Sequence, residues 1–428
     1  MNFILKGNII YNKNIKSLHI LENGVLICEN GLSQGAFQSI PSKFSSYPII
    51  DYGNKLIIPG LIDLHLHAPQ YSFRGMGMDL ELLDWLNNYT YNEESKYKNL
   101  EYADRAYTYF LEDLISGATT RGAIFATLHT PATILLMEKL EQSGLISFVG
   151  KINMDRNSPA IYIEESAQKS LIHTENWIKE TATKFKNTKP ILTPRFTPSC
   201  SDELMQGLGE LQRKYKLPVQ SHLSESKEEI AWVKELCPDI TCYADSYNKH
   251  GLFGGKNVPT IMAHCVWSTD IEQNLLRDNQ VHVAHCPNSN MNLSSGIAPI
   301  RRFLKNEISV GLGSDVAAGT QTNMLRAMGD AIQMSKLYWR HLENDDPPLT
   351  IPEALYLGTL GGGSFFGKVG SFEKGYEFDA LILDDSPLPT PHDLSIENRL
   401  ERIIYLGDQN HVHAKYVKGL KVKDANEM

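Results

Sequence analysis

From Pro59 onward, this 428-residue chain alternates eight short apolar or β-branched runs with longer amphipathic stretches. No other feature narrows its fold as far, because such alternation is the sequence form of repeated βα units. The runs span Leu61–His67, Gly117–Thr127, Ile146–Met154, Pro190–Phe196, Pro218–Glu225, Thr260–Val266, Val281–Pro287 and Ser309–Val316. Helical stretches lie between them at Leu100–Ser116, Pro131–Ser143, Ser201–Tyr215, Ser226–Leu236 and Thr269–Asn279. The last of these opens on a Ser268 or Thr269 cap ahead of Asp270 and Glu272. Eight such units over roughly 310 residues fit an α/β fold of the (β/α)₈ TIM-like barrel type, whose active site lies at the C-terminal strand ends. An open doubly wound sheet is the competing arrangement, but the G-x-G-x-x-G turn that would mark it does not follow the first run.

The two ends of the chain read differently. Met1–Ile57 and Phe378–Val422 hold short β-like runs split by turn residues, and neither has enough apolar residues for a stable domain of its own. Residues 1–58 and 370–428 are therefore expected to pair into one small β-sandwich domain beside a catalytic barrel of residues 59–369.

Composition excludes several function classes. With 42% hydrophobic and 21% charged residues the chain is of ordinary globular type. Its 41 basic and 50 acidic residues give a net charge of −9, and no basic run could track a phosphate backbone, so nucleic acid is not an expected partner. There is no secretory h-region and no apolar stretch of about 18 residues, so the expectation is a cytoplasmic, soluble protein with no membrane partner. Six cysteines without C-x-x-C spacing read as reduced thiols, and Cys265 and Cys286, each directly after a histidine, read as small buried residues.

The polar residues of the eight runs gather at one end. His65 and His67 stand one residue apart, and alternation along a strand projects both imidazoles from one face. Two ordinary histidines would read the same way, so further ligands must decide. Arg195 stands at the end of the fourth run, His222 and Glu225 of the fifth, His264 of the sixth, His285 of the seventh and Asp315 of the eighth. Singly, His222 and His264 read as hydrogen-bonded core histidines, and Asp315 as a helix cap after a glycine turn. A closed ring, however, would bring them all to one rim, which points to a metal site. Three neutral imidazoles and a carboxylate suit Zn²⁺, with Fe²⁺ the alternative, and leave a position for water. Zinc can lower the pKa of that water to about 7, which makes the expected chemistry hydrolytic. The fourth run holds no lysine that could bridge two metals, Lys189 lying ahead of it, so one ion per subunit is expected. His285 is read as structural, its imidazole tied to the "PNSNMNLSSG" loop, and closure of the Arg74–Met78 stretch over a substrate is left open. The H-x-E strings at His173 and His341 have no P-C-x-x-C partner, which excludes that class of zinc deaminase, and no H-E-x-x-H helix is present.

The segments "PGLIDLHLH", "SHLSE" and "GLGSDV" resemble those of the amidohydrolase superfamily. "HAPQYSFRG", "DLELLDWLNNYT", "FATLHT", "VGKINMDRN", "TPRFTPSCS", "AHCPNSNMNLSSG" and "TLGGG" resemble, within it, the guanine deaminases, and the likeness runs from about Pro59 to Asp408. The resemblance implies that His65, His67, His222 and Asp315 bind zinc, with His264 close to the metal and its water. It also implies that Gln70, Arg195, Phe196 and Glu225 hold the ring of guanine, with His222 and Asp315 facing the substrate as well. In-plane donors and acceptors between apolar walls are what a planar neutral heterocycle requires: Arg195 can donate to the carbonyl, Gln70 can both donate and accept, and Phe196 can wall the pocket. The catalytic set would then be Glu225, His264 and Asp315. Zinc and Asp315 would activate water, Glu225 would protonate a ring nitrogen, and ammonia would leave to give xanthine, a step of purine catabolism. A homodimer is implied as well. A deaminase of another aminated ring (a pterin, 8-oxoguanine or an adenosine-type thioether nucleoside) is the second reading, and a noncatalytic scaffold on the same fold the third.

Overall fold

The computed structural model describes residues 1–255, 258–343, 345 and 347–424, so the last four residues of the expected 370–428 segment lie outside the described residues. The chain is mixed α/β. In the N-terminal part the strands are β1 (Asn2–Asn14), β2 (Ser17–Glu29), β3 (Leu32–Phe37) and β4 (Ile49–Pro59). The repeated units supply β5 (Leu61–His67), β6 (Thr119–Phe125), β7 (Ile146–Gly150), β8 (Ile152–Asn153), β9 (Thr188–Pro190), β10 (Thr193–Pro194), β11 (Val219–Leu223), β12 (Thr260–His264), β13 (His282–His285) and β14 (Ser309–Leu312). The C-terminal part adds β15 (Ala380–Leu383), β16 (Val412–Val417) and β17 (Leu420–Asp424).

The strands of the repeated units pair in parallel, in the orders β5-β6-β7-β9 and β11-β12-β13-β14. Every residue of β5 and β6 is buried, as befits strands covered on both faces. Backbone hydrogen bonds join the two sheets at both edges. On one side Leu192 N donates to Pro218 O and Gln220 N to Leu192 O, each at 2.9 Å; on the other Asp315 N donates to His65 O at 2.8 Å and His67 N to Val316 O at 3.0 Å. The run expected at Pro190–Phe196 is divided into β9 and β10, because Pro190 and Pro194 have no N–H to give a ladder. The run at Ile146–Met154 likewise breaks at Lys151, into β7 and β8.

The helices between strands start where side chains can hold their free N–H groups. Asn99, Ser201, Ser226 and Thr269 each accept from backbone N–H groups two or three residues on, which settles the choice between Ser268 and Thr269. The helix Leu100–Ser116 buries Ala103, Ala106, Tyr107, Phe110, Leu111 and Leu114, an apolar stripe at helical spacing that faces the core.

Both chain ends meet in one seven-stranded sheet, ordered β17-β16-β15-β4-β1-β2-β3. The joint is the antiparallel pair β15–β4, with Ile382 opposite Ile57. Three steps separate β16 from β1, about 14 Å in a flat sheet, yet the rings of Phe3 and Tyr416 lie 5.5 Å apart. The sheet must bend over that apolar cluster. It is also fastened to the repeated units: Arg121 donates to Asp379 at 2.5 Å and to Glu377 at 2.7 Å. The buried Lys415 caps carbonyls of Leu114 and Thr119, both at 2.8 Å. Among the described residues no helix is long and apolar enough to cross a membrane.

Candidate active site

The residues singled out at strand ends come together. His65 and His67 lie in β5, His222 in β11 and His264 at the last position of β12; Arg195 and Phe196 follow β10, Glu225 follows β11 and Asp315 follows β14. His264 and Asp315 adopt positive φ, 70° and 49°. Such conformations cost about 1–3 kcal/mol each, and here they turn the chain sharply where its side chains are needed.

Histidine protonation shows what the cluster can hold. His222 Nδ1 lies 2.6 Å from the Arg195 carbonyl, an acceptor, so Nδ1 carries the proton and Nε2 presents a lone pair. That lone pair faces His67 Nε2 at 3.2 Å, and His67 Nε2 faces His65 Nε2 at 3.2 Å. Burial, together with the neighbouring imidazoles, holds His67 and His222 well below the ordinary histidine value, so both stay neutral. Asp315 Oδ1 closes the group, 3.2 Å from His65 Nε2 and 3.4 Å from His67 Nε2. Burial works against ionisation of Asp315, but the imidazoles of His65 and His264 outweigh it and bring its carboxyl down to about 2. Three imidazole Nε2 atoms converging beside a carboxylate are a donor set that suits a divalent cation. The Nδ1 atoms of His65 and His67 are buried and have no partner among the described residues.

A second set, His65, His264, Cys286 and Asp315, is also close enough to share an ion. Metals bind the thiolate, and burial, then the charge of Asp315, pushes the Cys286 thiol well above its ordinary range. The set with His67 and His222 is the better match to a metal.

A cavity opens beside the cluster. His67, His222, His264, Glu225 and Asp315 form one side; Gln70, Arg195 and Phe196 form another; Leu82, Trp85, Leu86 and Leu293 supply apolar walls. Glu225 Oε2 lies 3.4 Å from His264 Nε2, and Ser295 Oγ donates to Glu225 Oε1 at 3.2 Å. Burial, then the charge of Asp315, raises the Glu225 carboxyl to about 8, so it holds a proton at neutral pH. The Arg74–Met78 stretch is fastened to the apolar wall, Trp85 Nε1 donating to Met76 O at 3.0 Å.

His285 departs from expectation. The imidazole tied to the loop after β13 belongs to His264, whose Nδ1 meets Asn290 Oδ1 at 2.9 Å. His285 Nδ1 is buried with no partner among the described residues. Asn290 and Ser295 reach back across the rim to groups on the two preceding strands, rather than to the histidine that precedes them in sequence. Two further residues went unread in the sequence. Glu94 accepts from Arg195 and Gln70, and Glu229 takes the Glu225 backbone N–H at 2.9 Å. Neither falls at a strand end, and nothing in "YNEESKY" distinguishes Glu94 from its acidic neighbour.

A model of the amidohydrolase family matches residues 56–422. Guanine deaminase of Dictyostelium discoideum is 37% identical to the chain, with 98% of each covered. Guanine deaminase of Escherichia coli is 32% identical, over 96% of this chain and 93% of that one. The crystal structure of guanine deaminase from C. acetobutylicum, with guanine bound in its active site, superposes with a TM-score of 0.96 at 48% identity, covering 99% of this chain and 100% of the other.

Proposed function

The chain belongs to the amidohydrolase family, and on that premise we infer that it is a hydrolase of C–N bonds in cyclic amidines that converts guanine to xanthine and ammonia in purine catabolism. One observation carries the inference to this site: the metal-competent imidazoles and a wall of in-plane donors line the same cavity. Relatives named as guanine deaminases, one of them with guanine bound, support the choice of ring.

His65, His67, His222 and Asp315 would hold one divalent ion, for which imidazole and carboxylate donors favour Zn²⁺ over Fe²⁺. When bound, the ion supplies Lewis-acid activation of water, whose pKa can fall to about 7. Arg195 and Gln70 present donors to the edge of the purine, Phe196 and Trp85 wall its faces, and Leu82, Leu86 and Leu293 exclude solvent. Asp315, ionised at neutral pH, accepts a proton from the attacking water. Glu225, protonated at neutral pH, gives its proton to the ring nitrogen next to the carbon that bears the amine. Water adds to that carbon. The proton taken up by Asp315 passes to the amine, the C–N bond breaks and ammonia leaves, while the proton of the added hydroxyl returns to the Glu225 carboxylate, so that the oxygen becomes the new carbonyl and both carboxyl groups regain their starting states. His264, held by Asn290 with its Nε2 lone pair toward Glu225 and Asp315, orients the water between them.

We read the hydrogen bonds at both edges of the two parallel sheets as closing an eight-stranded (β/α)₈ barrel over residues 59–369. The bent seven-stranded sheet is the small β-sandwich, built from 1–58 and 370–428. Six free cysteines fit a cytoplasmic location, and a homodimer rests on the family resemblance alone. The test is ammonia release from a panel of aminopurines and pterins by the metal-loaded protein. Guanine should be the preferred substrate, with xanthine as product. Faster turnover of a pterin or of a nucleoside would overturn the assignment.

A further inference from the structure

The wall that faces the ring carries a charge and its neutraliser. Arg195 is buried and lies at the cavity, yet both of its terminal nitrogens are engaged: NH1 donates to Glu94 Oε2 at 2.6 Å and NH2 to Glu94 Oε1 at 3.0 Å. Glu94 is wholly buried, and its Oε1 also accepts from Gln70 Nε2 at 2.8 Å. Gln70 Oε1 in turn accepts from Ala317 N at 3.4 Å, and the guanidinium stands 5.2 Å from the ring centre of Tyr91. One carboxylate therefore uses two donors of Arg195 and one of Gln70, the two side chains that would read the purine edge. Each keeps further N–H groups, since a guanidinium has five and a primary amide two. What remains free is fixed in direction and stripped of net charge.

We propose that Glu94 sets the specificity of the ring wall: by neutralising Arg195 and locking Arg195 and Gln70 into one rigid donor edge, it makes the site select a neutral aminopurine and turn away purine anions. This rests on the guanine reading above. The chemistry gives the arrangement a use. Xanthine, with carbonyls at both C2 and C6, is more acidic than guanine, so the product that loses a proton meets a wall with no net positive charge to retain it. An unpaired arginine in the same place would hold that anion.

The test compares the metal-loaded parent with Glu94→Gln and Glu94→Asp. Three things are measured: guanine deamination by ammonia release, bound metal, and competitive inhibition at pH 8 by xanthine and by the less acidic hypoxanthine. In Glu94→Gln, the KM for guanine should rise about 10-fold as the donor edge loses its anchor, and Ki(xanthine)/Ki(hypoxanthine) should fall by at least about 10-fold as the arginine charge is exposed. Loss of Glu94 leaves a buried charge unpaired, which destabilises Glu94→Gln, so a milder second variant is included. Glu94→Asp, shorter by one methylene, draws the carboxylate away from the bidentate pair with less harm to the fold, and should move the ratio the same way by about 3-fold. A buried ion pair of purely structural value would change stability and KM but leave this ratio alone. An unchanged ratio in a folded, metal-loaded variant therefore overturns the proposal. A parent that leaves guanine untouched overturns the guanine reading instead.

Discussion

Glu225→Gln isolates the proton shuttle with little disturbance of shape. Ser295 Oγ donates to Glu225 Oε1 at 3.2 Å, and an amide carbonyl would accept the same bond. Oε2 stands 3.4 Å from His264 Nε2, whose other ring nitrogen meets Asn290 Oδ1, and an amide group fits the same place. With every buried partner retained, stability should change by less than about 1 kcal/mol. Only proton transfer is lost. Such transfer contributes about 10²–10⁴ in rate, which is about 3–5 kcal/mol of barrier at 1.36 kcal/mol per decade. Steady-state ammonia release should therefore show kcat down by at least about 10², with KM for guanine within about 3-fold of the parent. Bound metal should be unchanged. Deamination by Glu225→Gln at the parent rate would refute the assignment and leave His264 or a water chain to carry the proton; a raised KM with kcat intact would make Glu225 a binding group only.

His65→Ala removes one of three converging imidazoles and should strip most of the bound metal, read by elemental analysis of the purified protein. Asp315→Asn keeps a weak oxygen ligand but cannot take a proton, so activity should fall much further than metal content. Arg195→Ala should lose about 2–4 kcal/mol in kcat/KM with metal retained, and stability should fall by about 3 kcal/mol because Glu94 is left buried and unpaired. Burial lowers His282 from 6.5 to about 4, so as pH falls below 6.5 the unfolded chain takes up this proton first. Up to about 3 kcal/mol of stability present above pH 6.5 is then lost by pH 4. Denaturant midpoints measured across that range should show a shallower slope in His282→Gln.

Local signals carried much of this structure. Leu61–His67 has in the structure the bounds its pattern implies, and the helix Leu100–Ser116 does too, since β-branched alternation and a capped apolar stripe are written within a few residues. The strand-end positions of His65, His67, His222, His264 and Asp315 were legible for the same reason: each stands at or near the C-terminal end of an apolar run. What stayed hidden are partnerships across the rim. Arg195 and Glu94 are 101 residues apart, and Glu225 and Ser295 are 70 apart. No periodicity links such pairs, and only the folded ring makes them neighbours. The seven-stranded order, with β1 parallel to β4, was unreadable on the same ground.

The interlocking of strands explains why the cluster can be rigid without the proposed metal ligands gripping one another. Asp63, two residues before His65 in the same strand, accepts from Ser314 N at 2.9 Å and from Ser314 Oγ at 2.5 Å. Ser314 immediately precedes Asp315, so the first and eighth runs are tied one residue from Asp315 and two from His65. The backbone bond from Asp315 N to His65 O, 2.8 Å, repeats the tie on the ligands themselves. On the opposite side the Arg195 carbonyl orients His222, while the Arg195 side chain lines the cavity. The proposed metal cluster and the proposed recognition edge therefore share one backbone segment, and a shift of the Pro194–Phe196 turn would misplace both together. Groups that must act on one substrate within tenths of an ångström are held in register through such shared segments.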